Sequence, residues 1–252
     1  MRIAIVSDVH GHVVALEAVI AALQGDAPDV VFHGGDIAAI GPRPAEVIDR
    51  IRDLGWSGVM GNTDEILFDT GSETEAEQLR RAPNLRGWLR TLFGTLAPWA
   101  AERLNDEQTT WLRKLPRELR HDGLLLVHAS PTDLWRAPMP TAADEELVEV
   151  YGAQSSEVVA YGHIHRPFVR TIGGLTVANI GSVGLPYDGD WRPSYLLIDD
   201  GKPSVRRVSY DLDRSARDTV AAGFPLARWL ADVQRAGSFH QPGADEDPRA
   251  LA

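Results

Sequence analysis

The chain has 252 residues, 44% hydrophobic and 24% charged, the make-up of an ordinary globular protein with a proper core. Its 36 acidic against 25 basic residues leave a formal net charge of −11, which opposes a nucleic-acid-binding or processive nuclease role, because that binding rests on clustered Lys and Arg displacing counterions. There is no cysteine, so disulfides, thiolate metal ligands and cysteine nucleophiles are excluded together.

Residues 2–7 (RIAIVS) form an apolar run rich in Ile and Val, read as a buried first strand. That run is too short for the core of a signal peptide, and Leu124-Leu125-Leu126-Val127 is too short to span a bilayer, so a cytoplasmic protein without membrane attachment is expected. Val13, Leu16, Val19, Ile20 and Leu23 recur at helical spacing, and the helix stops near Gly25. Residues 29–33 are the second strand, 45–54 the second helix, and 57–60 a third short strand. This alternation predicts a mainly parallel sheet with helices packed outside it.

Residues 65–116 change character: helical in propensity, carrying Trp88, Trp99 and Trp111, and punctuated by Pro83, Gly94 and Pro98. They are expected to form a lobe of two or three helices inserted in a single domain over residues 1–236. The tryptophans are assigned to packing within it. Strands are predicted at 124–127, 158–161, 168–171, 175–178, 194–198 and 205–210, with Gly173-Gly174 turning a hairpin. Helices follow at 215–223 and 225–236, and the polar segment 237–252 reads as a flexible tail.

Chemistry concentrates in five short motifs, each just after a predicted strand: Asp8-Val9-His10, Gly34-Gly35-Asp36, Gly61-Asn62-Thr63-Asp64, Val127-His128-Ala129-Ser130 and Gly162-His163-Ile164-His165. Ligands collect at the carboxyl edge of such sheets, so residues distant in sequence can converge there. Asp8, Asp36, Asn62, His10, His128, His163 and His165 make an oxygen and nitrogen donor set suited to Mn, Fe, Zn, Co or Ni rather than Ca. Seven side chains overfill one tetrahedral site but suit two divalent metal ions sharing a carboxylate.

In this order, DxH, GGD, GNxD, VHAS and GHIH resemble the signature of the calcineurin-like metallophosphoesterases, most closely the small bacterial and archaeal members. The resemblance covers residues 3–165 directly. Asn179-Ile180-Gly181-Ser182-Val183-Gly184 and the strands after it extend it to about Tyr210. It implies an α/β, four-layer αββα sandwich, two mixed sheets flanked by helices. It places Asp8, His10, Asp36 and His165 on a first metal, and Asp36, Asn62, His128 and His163 on a second, with Asp36 as the bridge. The reaction it implies is in-line attack on phosphorus by a metal-bound hydroxide, Mn being the foremost metal. The implied substrate is a small-molecule phosphoester, monoesters ahead of diesters. A nucleotide diesterase or nuclease, and a non-catalytic metal-binding module, are the rival readings.

Arg43, Arg136, Arg166 and His12 lie beside the motifs and are candidates for holding the substrate phosphate, since guanidinium pairs well with it. His33 reads as a packing residue, and His121 and His240 as surface residues. Thr63 stands where the eukaryotic-type protein phosphatases have His, and Ile37-Ala38-Ala39 follows Asp36 in place of their further motif, which argues against phosphoprotein substrates.

Overall fold

The computed structural model describes residues 1–68, 72–243 and 246. Among the described residues, ten strands make two five-stranded mixed sheets. The first contains β1 (Arg2–Val6), β2 (Val30–His33), β3 (Ser57–Gly58), β9 (Ser194–Asp199) and β10 (Lys202–Arg207), in the order β10-β9-β1-β2-β3. The second contains β4 (Glu118–His121), β5 (Leu124–Val127), β6 (Val158–Tyr161), β7 (Phe168–Ile172) and β8 (Leu175–Asn179), in the order β4-β5-β6-β8-β7. β1, β2 and β3 run parallel, as do β5, β6 and β8, while β9, β4 and β7 run antiparallel to β1, β5 and β8, and β10 is antiparallel to β9.

The two sheets stack, and strand periodicity shows how. Ile3 and Ile5 of β1 join Leu124 and Leu126 of β5 in one apolar layer between the sheets. Ala4 and Val6 face the opposite way, under the helices, and Leu125 and Val127 pack under the helix on the far side. Both faces of each central strand are therefore covered, which explains unbroken apolar runs instead of alternation. Each Ile or Leu so buried is worth about 1.5–3 kcal/mol, so this layer fixes the sandwich.

α1 (Val13–Asp26) and α2 (Pro44–Asp53) cover the first sheet, together with the later α9 (Leu212–Ala221) and α10 (Ala227–Ala236). A short α3 (Asn62–Glu65) leads into the lobe. α4 (Ser72–Arg81) follows, then α5 (Arg86–Thr91) running through a π-turn at Leu92–Leu96 into α6 (Ala97–Ala101), and lastly α7 (Asp106–Arg113). α8 (Asp144–Tyr151) covers the second sheet through Leu147 and Tyr151.

Several local expectations change. The third strand is shorter than 57–60, because the Met60 N–H leaves the ladder for the Pro116 carbonyl at 2.9 Å. The last strand starts at Lys202 rather than 205, since Asp200 and Gly201, both left-handed at φ 47° and 76°, turn the chain at once. β4 and α8 had no counterpart in the sequence reading. Part of the segment expected to be a loose tail is packed: Phe239 sits 5.2 Å from Trp88 and 5.6 Å from Tyr187 between ring centroids. Residues 244, 245 and 247–252 of that segment lie outside the described residues. Among the described residues no helix is long and apolar enough to cross a membrane.

Candidate metal centre and cleft

The motif residues all follow the carboxyl ends of parallel strands: Asp8 and His10 after β1, Asp36 after β2, Asn62 after β3, His128 after β5, and His163 and His165 after β6. The loops are bound to one another by backbone hydrogen bonds, Asp8 N–H to the Gly35 carbonyl and His10 N–H to that of Asp36, both 3.0 Å. Asp8, His10, Asp36, His163 and His165 all have positive φ, between 49° and 64°. For residues with a Cβ this costs about 1–2 kcal/mol each, and such strain collects at functional sites. Two glycines make room for the carboxylates. A Cβ on Gly61 would lie 2.1 Å from Asp36 Oδ1, and one on Gly162 would lie 2.3 Å from Asp8 Oδ2.

Among the described residues, Asp8, His10, Asp36 and His165 offer ligand atoms within 4.8 Å of one another. The His10 ring donates from Nδ1 to the Ala39 carbonyl at 2.8 Å, and His165 from Nδ1 to that of Leu185 at 2.6 Å. These bonds leave both Nε2 atoms as bare lone pairs, 3.2 Å apart, with Asp8 Oδ1 3.1 Å from His165 Nε2 and Asp36 Oδ2 3.6 Å from His10 Nε2. A second convergence lies alongside. His128 donates from Nδ1 to the Gly34 carbonyl at 2.8 Å, and His163 from Nε2 to that of Trp135 at 3.2 Å. Their free nitrogens then face Asn62 Oδ1 at 2.9 Å and 3.0 Å, and Asp36 Oδ1 is 3.5 Å from His128 Nε2.

Acceptors facing acceptors in a buried place are unfavourable without a cation between them. The titration behaviour agrees. Burial pushes Asp8 up to about 7, and pushes Asp36 up to about 6 with the Asp8 charge adding to it. Burial lowers His10 to about 3 and His165 to about 4, against the pull of Asp36. Imidazoles held neutral beside carboxylates short of positive charge are a donor set that fits divalent metal.

Of the residues expected to hold phosphate, only Arg166 lines the cleft, its Nε donating to the Tyr187 carbonyl at 2.9 Å. Arg43 is tied to α9 by Asp218, Nη2 to Oδ1 at 2.6 Å, and Arg136 is exposed away from the cleft lining. His12, only 1% exposed, lies beneath α10, where its Nδ1 accepts from Gln234 Nε2 at 3.1 Å. His33 is buried against Trp111, and His121 is half-buried against Phe32 rather than at the surface.

Residues outside the expected set also build the site. Asp64, fully buried, accepts from the Ile37 N–H at 2.8 Å and the Gly61 N–H at 3.1 Å, so it ties the Asp36 loop to the Asn62 loop. Its place three residues after Gly61, where a helix-capping carboxylate belongs, was the available signal. Ser182 Oγ donates to the Asp8 carbonyl at 2.7 Å and accepts from the Leu185 N–H at 2.8 Å. The cleft above the cluster has a volume of about 320 Å³, with polar residues of the cluster on one side and the lobe on the other.

A two-sheet αββα sandwich with Asp, Asn and His side chains gathered at the strand ends defines a metal-dependent phosphoric ester hydrolase. The chain belongs to the calcineurin-like phosphoesterase superfamily, whose domain model matches residues 1–201. It is 27% identical over 254 residues to the uncharacterized protein MJ0912 of Methanocaldococcus jannaschii, covering 91% of this chain and 96% of that one. A metallophosphoesterase from Sphaerobacter thermophilus superposes with a TM-score of 0.75 at 27% identity, over 94% of this chain and 99% of that one. The hypothetical protein PH1004 from Pyrococcus horikoshii superposes with a TM-score of 0.76 at 19% identity, over 95% and 99%, a likeness of fold.

Proposed function

We propose that this chain is a phosphomonoesterase working with two divalent cations, Mn foremost. Asp8, His10, Asp36 and His165 would hold one cation, and Asp36, Asn62, His128 and His163 the other. The observation that carries this reading is the pair of acceptor clusters meeting at Asp36, whose Oδ2 faces His10 while its Oδ1 faces His128. Bound cations supply positive charge to phosphate oxygens and lower the pKa of water.

In the reaction, a water oxygen bonds to phosphorus as the ester P–O bond breaks, and the departing oxygen takes up a proton. The chain's own part is positioning. The Nδ1 bonds of His10, His128 and His165 and the Nε2 bond of His163 stop the rings from turning. Arg166, the one Arg or Lys among the lining residues, has Nη1 in only a weak 4.0 Å contact with Met139 Sδ, so its guanidinium can turn to phosphate oxygens. Thr63, also on the lining, has a buried Oγ1 that interacts with Asp36 but makes no well-formed hydrogen bond among the described residues, so it can donate to a phosphate or leaving oxygen.

One hollow beside the cluster favours an ester with one organic group over a diester. A single lining cation and a net charge of −11 argue against a nuclease.

The test is Asp36→Asn. The native protein with Mn should hold two metals and hydrolyse aryl monoesters faster than diesters or an oligonucleotide. Asp36→Asn should lose both metals and all turnover, whereas His10→Ala should keep part of its metal. Two metals and normal turnover in Asp36→Asn would refute the assignment.

A further inference from the structure

The side of the cleft opposite the acceptor cluster is of different chemistry. Trp88, Leu89 and Leu92 reach it from the lobe, Trp135 from the loop after β5, Tyr187 from the loop before β9, and Phe239 from the segment after α10. The rings brace one another. Trp135 stacks on Phe93 at 5.8 Å and 21°, Phe239 meets Trp88 edge-on at 5.2 Å, and Tyr187 lies over His165 at 4.4 Å and 20°. Phe239 is held from both sides. Trp229 Nε1 donates to the His240 carbonyl at 2.8 Å, and the Gln241 side chain accepts from the Trp88 N–H at 3.2 Å and donates to the Asn84 carbonyl at 3.3 Å.

Such a wall discriminates. A sugar hydroxyl, a second phosphate or the polar edge of a nucleobase loses water there and gains few partners, because Gln78 is the one uncharged polar side chain the lobe puts on the lining. Arg166, the one Arg or Lys on the lining, would be taken by the ester's own phosphate under the reading above. The hollow is also small, about 320 Å³, at the low end of ligand sites.

We infer that this hollow seats the organic group of the ester and selects a compact, uncharged apolar group, aryl or branched alkyl, with Phe239 as a specificity-determining residue. This rests on the phosphomonoesterase reading above. Phosphate sits at the cluster, and the organic group turns away from it into the aromatic wall.

The experiment uses the full chain loaded with Mn and three primary alkyl esters of similar leaving-group acidity: 2-phenylethyl phosphate, glycerol 3-phosphate and adenosine 5′-monophosphate. The kcat/KM for the phenylethyl ester should exceed the other two by on the order of ten-fold or more, mostly through KM. In Phe239→Ala that ratio should fall by on the order of ten-fold, and Phe239→Leu should recover part of it. Metal content of the same samples should stay at the native value. Equal rates on all three esters, preference for the nucleotide, or a ratio unmoved in both variants overturns the inference while leaving the phosphomonoesterase reading standing. Two bound metals with no hydrolysis of any ester would overturn that reading itself, and this inference with it.

Discussion

Replacing Asp64 tests whether the loops carrying Asp36 and Asn62 are held by one buried carboxylate. Its oxygens accept the Ile37 and Gly61 N–H groups at 2.8 Å and 3.1 Å, with the Ala38 N–H more distant at 3.4 Å. Asp64→Ala leaves two buried backbone donors unpaired, each costing about 1–3 kcal/mol, so the loss should be about 2–6 kcal/mol. That is a large share of the 5–15 kcal/mol typical of a folded domain. Asp64→Asn should cost less. It keeps one acceptor, turns an N–H toward the other donor, and removes the charge that faces Asp36; burial followed by Asp36 repulsion already lifts Asp64 to about 6. Metal affinity should fall about ten-fold or more in either variant, since the loops carrying Asp36 and Asn62 lose their common anchor. Urea unfolding in chelator measures the first effect and calorimetric Mn titration the second. If Asp64→Ala unfolds within about 0.5 kcal/mol of the native protein, within the range of an ordinary surface substitution, and binds Mn equally well, the anchoring argument is wrong.

Two further outcomes follow from the site. Metal-free protein should gain stability as pH rises from about 5 to about 7.5 and then level off. Asp8, Asp36 and Asp64, raised to about 7, 6 and 6, keep protons that the unfolded chain has released, which adds stability as pH falls and offsets only part of the loss from the histidines. Below 6.5 His10, His12 and His33, lowered to about 3, and His165, lowered to about 4, stay neutral while unfolded histidines protonate, and stability declines. Each proton gives a slope of about 1.4 kcal/mol per pH unit. Saturating Mn, which needs the carboxylates ionised, should steepen that rise, and a stability that falls from pH 5 to 7.5 in chelator would contradict the scheme. Thr63 is too weak an acid to replace an imidazolium, help typically worth ~10²–10⁴-fold, so rates across aryl and alkyl phosphates should depend steeply on leaving-group pKa. His12→Ala should leave that slope unchanged, because His12 lies under α10 rather than in the cleft; a shallow native slope would remove the argument.

Much of the centre was legible because each motif follows an apolar run whose end can be located: Ile3 to Val6 points to Asp8, and Val158 to Tyr161 points to His163. The stacking of two sheets was not. A run such as Ile3-Ala4-Ile5-Val6 has both faces covered, and its periodicity does not say whether a helix or a second sheet does the covering. β4 was missed because Glu118 to His121 carries three polar residues in four, as a half-exposed edge strand does. Neighbourhood in sequence misled for His12 and Arg43. The former opens α1, which turns its ring toward Gln234, 222 residues away, and the latter turns to Asp218. Phe239 gave little signal, one aromatic in a polar segment whose partners Trp88 and Tyr187 lie far back in the chain.

The pairing of β1 with β9 has a consequence for how the protein comes into being. Arg2 meets Asp199 across 197 residues, and Asp8 waits for His163 across 155. At ribosomal rates of about 5–20 residues per second, the first carboxylate is made about 8–31 s before the histidine loop that joins it. Throughout that interval β1 lacks its antiparallel neighbour, and Asp8, His10 and Asp36 lack the fourth member of their cluster, His165. Long-range contacts of this kind also slow folding after release. A metal site drawn from both ends of that span would be complete only after the sandwich has closed.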